Sequence, residues 1–195
     1  MAGAVESVLM TNGSTLFLDE LTGLPSRACF LDRLSEAADE AMARNRALAL
    51  LVIDLDNLFL INLERDRHAG DQALIALAQT LRRSARANDY VARLGGDQFA
   101  MLLPGTSLIT AAQLASAIRG LVGRVHEVHP GFGMIDVCIG VSARPIGNEW
   151  FARDLLDLAD LRLTSAKRSR HLPGPPQHVW SGPPQAVDDD DNSTG

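Results

Sequence analysis

Val91-Ala-Arg-Leu-Gly-Gly-Asp-Gln-Phe-Ala-Met-Leu-Leu103 sets two short apolar runs on either side of a glycine pair, with one carboxylate, Asp97, directly behind it. Two such runs joined by Gly-Gly read as a β-hairpin, because glycine takes the positive φ angles of a tight turn. Gly95 and Gly96 would also let a phosphate approach the backbone closely. From these residues alone two readings stand: an ordinary hairpin, or a hairpin whose tip holds a ligand.

Upstream, Ala47 to Asp54 is a continuous apolar run that ends in a carboxylate. A run of that kind reads as a strand covered on both faces, at the centre of an α/β sheet. Asp54 and Asp56 then fall at its C-terminal end on one side, with Leu55 on the other. Residues 69–87 read as a helix with a stripe of Ala73, Leu74, Leu77, Ala78 and Leu81. An earlier helix follows Pro25, which suits a first turn. Its apolar stripe is Phe30, Leu31, Leu34, Ala37, Ala38, Ala41 and Met42, and it ends near Asn45. Downstream of the hairpin come a helix over 107–122, a strand over 135–141 and a helix over 151–168 in which Trp150 and Phe151 anchor the start. The order helix–strand–helix–hairpin–helix–strand–helix predicts an α/β (α+β) fold, a central mixed sheet wrapped by helices.

The chain divides into a lead-in over 1–18, one domain over 19–172, and a tail over 173–195. The tail's prolines, glycines and Asp188–Asp191 block predict disorder. A net charge of −6 gives no global basic field, and no basic–aromatic surface suited to nucleic acid is present. No run is long enough to span a membrane and no secretory signal pattern opens the chain, so a cytoplasmic location is expected. Cys29 and Cys138, in apolar surroundings, predict buried reduced thiols. His126 and His129 lack a third ligand, and His68 reads as a helix-start residue.

Asp54 and Asp97 are carboxylates that neighbouring strands can bring together. Beside a Gly-Gly backbone they suit a magnesium–nucleotide complex, since magnesium takes few protein carboxylates and completes its shell with water and phosphates. The alternative is that each aspartate merely solvates a strand end.

An ordered set of segments adds weight: Asp19-x-Leu-Thr-Gly-Leu-Pro-x-Arg27, Asp54-x-Asp56, Ile61-Asn62, Gly70-Asp71, Arg93-Leu-Gly-Gly-Asp-Gln-Phe99, Ile139-Gly140, Ala159-Asp160 and Ala166-Lys167. Together, over roughly residues 17–171, they resemble the GGDEF domain of bacterial diguanylate cyclases, which join two GTP molecules into cyclic di-GMP. The resemblance implies a fold related to nucleotidyl-cyclase and polymerase palm domains, with a ferredoxin-like core. It implies Mg²⁺ held by Asp54, the Leu55 carbonyl and Asp97. It also implies guanine read by Asn62 and Asp71, phosphates near Gly95, Gly96 and Lys167, and an inhibitory cyclic di-GMP site at Arg86 and Asp89, supported by a basic residue such as Arg119. An amide and a carboxylate can together satisfy guanine's mixed donor and acceptor edge.

The departures point elsewhere. Gln98 stands where the signature has glutamate, keeping the shape but losing the charge. Phe59 stands where a phosphate-binding lysine is expected, and Leu63-Glu-Arg-Asp-Arg67 lacks the expected glycine and histidine. The second C-terminal phosphate cation falls on His171, with Arg168 and Arg170 available to compensate. Phosphoryl transfer depends on positioning and charge neutralisation. These losses therefore predict a degenerate active site, in which Asp97 keeps the catalytic carboxylate and Gln98 is the degenerate position. The resulting expectation is a catalytically impaired module that binds cyclic di-GMP or GTP and regulates a partner. An active cyclase working as a homodimer, and a protein-interaction scaffold that binds no nucleotide, are the alternatives. With only the lead-in before the domain, nothing obvious in the sequence enforces dimerisation.

Overall fold

The computed structural model describes residues 18–125, 135–144 and 150–170, and the backbone of 179–180. Helix α1 (Arg27–Ala43) leads into strand β1 (Leu48–Asp56), then come α2 (Leu58–Glu64) and α3 (Arg67–Ser84). The hairpin is β2 (Tyr90–Gly95) and β3 (Gln98–Pro104). Helix α4 (Leu108–Gly123), strand β4 (Asp136–Arg144) and helix α5 (Ala152–Arg170) follow, and a two-residue strand β5 (Val179–Trp180) comes last. The sheet order is β2-β3-β1-β4-β5. The first four strands are antiparallel to their neighbours and β5 pairs in parallel with β4. The sheet is therefore mixed, as expected, but only through that short last strand.

Strand β1 is central and buried from Leu48 to Leu55. Alternation along it sorts the core into two layers. Ala49, Leu51, Ile53 and Leu55 pack in one cluster with Leu77 and Leu81 of α3 and Ile118 of α4. Leu48, Leu50 and Val52 pack in the other with Phe30 and Leu34 of α1 and Leu155 and Leu163 of α5. The continuous apolar run is thus an antiparallel strand roofed on both sides by helices, since what the composition reports is burial and not strand direction.

The α5 layer sits unusually close to the sheet. A Cβ at Gly140 of β4 would lie 2.5 Å from the Leu163 backbone nitrogen and collide with the Ala159 carbonyl. Glycine there is a packing requirement. Other contacts tie the layers at their edges. Arg144, buried at the end of β4, donates to the carbonyls of Ala41 in the last turn of α1 (3.1 Å) and of Arg46 beyond it (3.2 Å). Helix α3 is capped by Asp66, whose carboxylate accepts from the Ala69 N–H at 2.8 Å.

Several expectations need correction. Helix α2 was not anticipated: Leu-Phe-Leu-Ile-Asn-Leu-Glu is too short and too evenly apolar to show a helical period. Leu31 and Met42 do not belong to the buried stripe of α1 and are substantially exposed. Pro25 lies outside α1, in an isolated bridge to Leu18, and Ser26 is the N-cap. Trp150 packs against the core, but Phe151 is 76% exposed and does not anchor α5. Its N–H is instead accepted by the Asp154 carboxylate. Cys29 and Cys138 are buried and not joined in a disulfide, and burial pushes the Cys138 thiol up to about 11. Residues 1–17, His126, His129, His171 and all of the tail but Val179–Trp180 lie outside the described residues. None of the described helices is long and apolar enough to cross a membrane.

Candidate functional site

The hairpin turn is Gly96-Asp97, with Gly95 opposite Gln98 and a bulge between Arg93 and Gly95. Both glycines have positive φ, and an added Cβ at either would meet no atom within 4 Å. Conformation, not crowding, demands glycine at both positions. The tip leaves room beside the backbone.

Register brings the two aspartates together. Gln98 pairs with Asp54 across β1 and β3, and the Leu55 N–H donates to the Asp97 carbonyl at 3.0 Å. Asp54 is 3% exposed. Burial raises its pKa, and the Asp97 charge raises it further, against hydrogen bonds from Lys167 and Gln98 that lower it. Lys167 of α5 holds Asp54 Oδ2 at 2.7 Å.

Alternation along β1 explains that partner, since even-numbered residues face α5. Asp56, two residues on, pairs with Arg170 at the end of α5, and the same guanidinium also pairs with Asp136 of β4. Arg119 of α4 takes Asp136 from another direction at 3.2 Å through two nitrogens. Arg119 therefore does not support Arg86 as expected. It belongs to the cluster at the ends of β1 and β4.

Asn62 and Asp71 are brought together across α2 and α3. The Asn62 carboxamide lies against Gly70, so a Cβ there would overlap it, and Asp71 is the next residue. Phe59 and Leu63 occupy the same face of α2 as Asn62, and are 74% and 69% exposed. Arg86 and Asp89 lie in the turn after α3. The Asp89 carboxylate accepts from the Arg86 N–H at 2.8 Å, and the Asp89 N–H donates to the Arg86 carbonyl at 3.0 Å. That turn lines a cleft of about 290 Å³ with Thr106, Thr110, Gln113 and Leu114.

Two residues were named in the sequence only as parts of segments, yet they organise the tip. Arg93 donates to both Asp19 carboxylate oxygens at 2.9 and 3.0 Å and to the Gly96 carbonyl at 2.7 Å. Its guanidinium also lies 6.0 Å from the Phe99 ring centroid. Burial would raise Asp19, but hydrogen bonds from Thr22 and Arg93 outweigh it and hold the carboxyl below its usual value. A charged residue inside an otherwise apolar strand was the available signal. Its partner, 74 positions away, was not.

No group of three histidine, cysteine or acidic residues that could hold a metal occurs among the described residues. The adjacent, mutually repelling Asp54 and Asp97 carboxylates fit a magnesium ion that draws the rest of its shell from water and phosphates, and Lys167 pairs with Asp54 beside them.

Comparison with known proteins agrees with this geometry. The family model "Diguanylate cyclase, GGDEF domain" matches residues 16–171. The chain is 34% identical over 149 residues to the bifunctional diguanylate cyclase/cyclic di-GMP phosphodiesterase MucR of Pseudomonas aeruginosa, covering 76% of this chain but only 22% of MucR. The GGDEF domain of DgcB from Caulobacter crescentus, solved with cyclic di-GMP, superposes with a TM-score of 0.72 at 28% identity, covering 82% of this chain and 91% of that one. The diguanylate cyclase SiaD of Pseudomonas aeruginosa, solved with its activator SiaC, gives a TM-score of 0.68 at 29% identity, covering 78% and 58%. The match in sequence and the likeness in fold agree, and the chain belongs to the GGDEF-domain family of diguanylate cyclases.

Proposed function

We propose that this domain is a regulatory module that binds cyclic di-GMP or GTP, with catalysis impaired. The observation that carries the reading is the Arg86–Asp89 turn, already closed by its own hydrogen bonds and opening on the cleft beside α4. A guanidinium held there can grip a phosphate or a guanine edge through two nitrogens. The turn's existing order lowers the entropic cost of capturing a ligand. At the strand ends, Gln98 is neutral and hydrogen-bonds Asp54, so it accepts no proton from a reacting hydroxyl. Phe59 brings no positive charge to the site.

Guanine recognition is assigned to Asn62 and Asp71, and phosphate contact to Lys167 and the Gly95–Gly96 backbone. Asp54, the Leu55 carbonyl and Asp97 would hold Mg²⁺, which supplies charge neutralisation on nucleotide phosphates when bound. A second reading, a working cyclase that acts as a homodimer, is favoured by the Asp54–Asp97 pairing itself. A scaffold that recruits a protein partner without nucleotide is the third.

Calorimetric titration with cyclic di-GMP and with GTP–Mg²⁺, followed by a product assay, separates them. The expected outcome is cyclic di-GMP binding that falls at least tenfold in Arg86→Ala, with no product from GTP. Turnover abolished by Asp97→Ala would establish the cyclase instead, and silence from both nucleotides would leave the scaffold.

A further inference from the structure

Most exposed apolar side chains on the described surface stand singly. Leu31 and Met42 lie near opposite ends of α1, and Ile109 and Leu121 near opposite ends of α4. Helix α2 differs. Phe59, Leu60 and Leu63 are all exposed, and their i+3 and i+4 spacing makes them neighbours on its outer face. Leu58 and Ile61, on the other side, pack in the core. A clustered apolar face of this kind marks a contact site.

Its size and place select the occupant. Three such side chains expose on the order of 400 Å², whereas each partner in a stable complex gives up about 800 Å². A short segment fits that area better than a second copy of the chain. After α5, Val179 and Trp180 pair with Ile139 and Gly140 at the β4 edge, and the Asp188–Asp191 block follows them. That stretch is drawn to the sheet edge and brings charge.

Residues 1–17 end beside α2 instead. Leu18 bridges Pro25, whose carbonyl accepts from the Arg93 N–H at 3.0 Å. Asp19 accepts from the Arg93 guanidinium, which also holds the Gly96 carbonyl. At the same hairpin tip the Asp97 carbonyl accepts from the Leu55 N–H, just before α2 begins. Seventeen residues at about 3.3 Å each reach roughly 55 Å, beyond the ~30 Å of a small domain. Their sequence supplies the complement: Val5, Val8 and Leu9 recur at helical spacing, Asn12-Gly13 offers a turn, and Glu6 is the one charged side chain.

We propose that residues 1–17 turn back at Asn12-Gly13 and lay Val5, Val8 and Leu9 on the outer face of α2, making Phe59, Leu60 and Leu63 an intramolecular docking site. A ligand or protein that approaches α2 then has to displace this segment.

Hydrogen exchange of the full chain, read by mass spectrometry, tests the docking. Amides of residues 5–10 should exchange at least tenfold more slowly in the parent than in Phe59→Ser/Leu63→Ser. In Val8→Asp/Leu9→Asp, α2 should lose protection. Because Phe59 and Leu63 are exposed, unchanged far-UV circular dichroism serves as the folding control. Placement is read separately, with Cys29 and Cys138 buried and out of the way. Leu9→Cys/Leu63→Cys should form an intramolecular disulfide under mild oxidation, whereas Leu9→Cys/Ile109→Cys, with its second thiol on α4, should not. Fast exchange over residues 5–10 that the α2 substitutions leave unchanged would overturn the proposal, as would equal cross-linking of both pairs. Protection of α2 that appears only at higher protein concentration would overturn it too, and assign the face to a second copy.

Discussion

Gly70 shows how one missing side chain positions another. It is buried on α3, and the Asn62 carboxamide occupies the volume a methyl group would need. Asn62 is exposed, so it can be displaced at little structural cost. Gly70→Ala is therefore expected to weaken guanine-nucleotide binding by about tenfold while changing stability by less than about 1 kcal/mol. Paired calorimetric and urea titrations would read both quantities, and a stability loss with intact binding would contradict the assignment. The sequence marked Asn62 and Asp71 separately but carried no sign that glycine was the spacer between them. That contact needs α2, and α2 was invisible to periodicity.

Among the elements, α5 determines what the site looks like. Its packing against β4 depends on Gly140, where an added Cβ would press on the backbone of Leu163 and Ala159, not on a flexible chain end. Backbone cannot swing aside, so Gly140→Ala should destabilise the fold by about 3 kcal/mol. Chemical denaturation would show this as a lower midpoint with an unchanged slope. The same helix delivers Lys167 and Arg170 to Asp54 and Asp56. Strand alternation had placed the two carboxylates on one side of β1, and the structure agrees. What alternation leaves open is which helix roofs that side. Lys167 and Arg170 stand three apart on α5, one helical turn, and so reach carboxylates two apart on a strand. Arg119, expected beside Arg86, instead meets Asp136 because the rotation of α4 about its axis turns Gln113 and Leu114 towards the cleft.

Across the molecule, Arg93 and Asp19 couple the start of the domain to the hairpin tip, and this coupling has a pH signature. The folded-state pKa of Asp19 is lowered. Its contribution is therefore fully present above the unfolded value near 3.8 and is lost as pH falls through the lower folded value. Asp19→Asn should cost about 1.5 kcal/mol at pH 7, the scale of a hydrogen bond to a charged group. The gap between variant and parent should narrow below pH 3.8 and not above it. Urea midpoints at pH 7 and pH 3 would check the sign; a gap that widens on acidification would refute it. By itself the sequence determined the helix-wrapped sheet, the covered central strand, the glycine turn and the placing of Asp54 and Asp56 on one side. Each follows from local periodicity or from the φ angles glycine permits. Only the tertiary structure decided that the sheet is antiparallel around β1, that Lys167 and Arg170 take up the strand-end carboxylates, that Arg93 reaches Asp19, and that Phe59 and Leu63 lie open beside Asn62. Those outcomes depend on contacts between residues distant in the chain, set by how helices rotate and dock on the sheet, which no local pattern encodes.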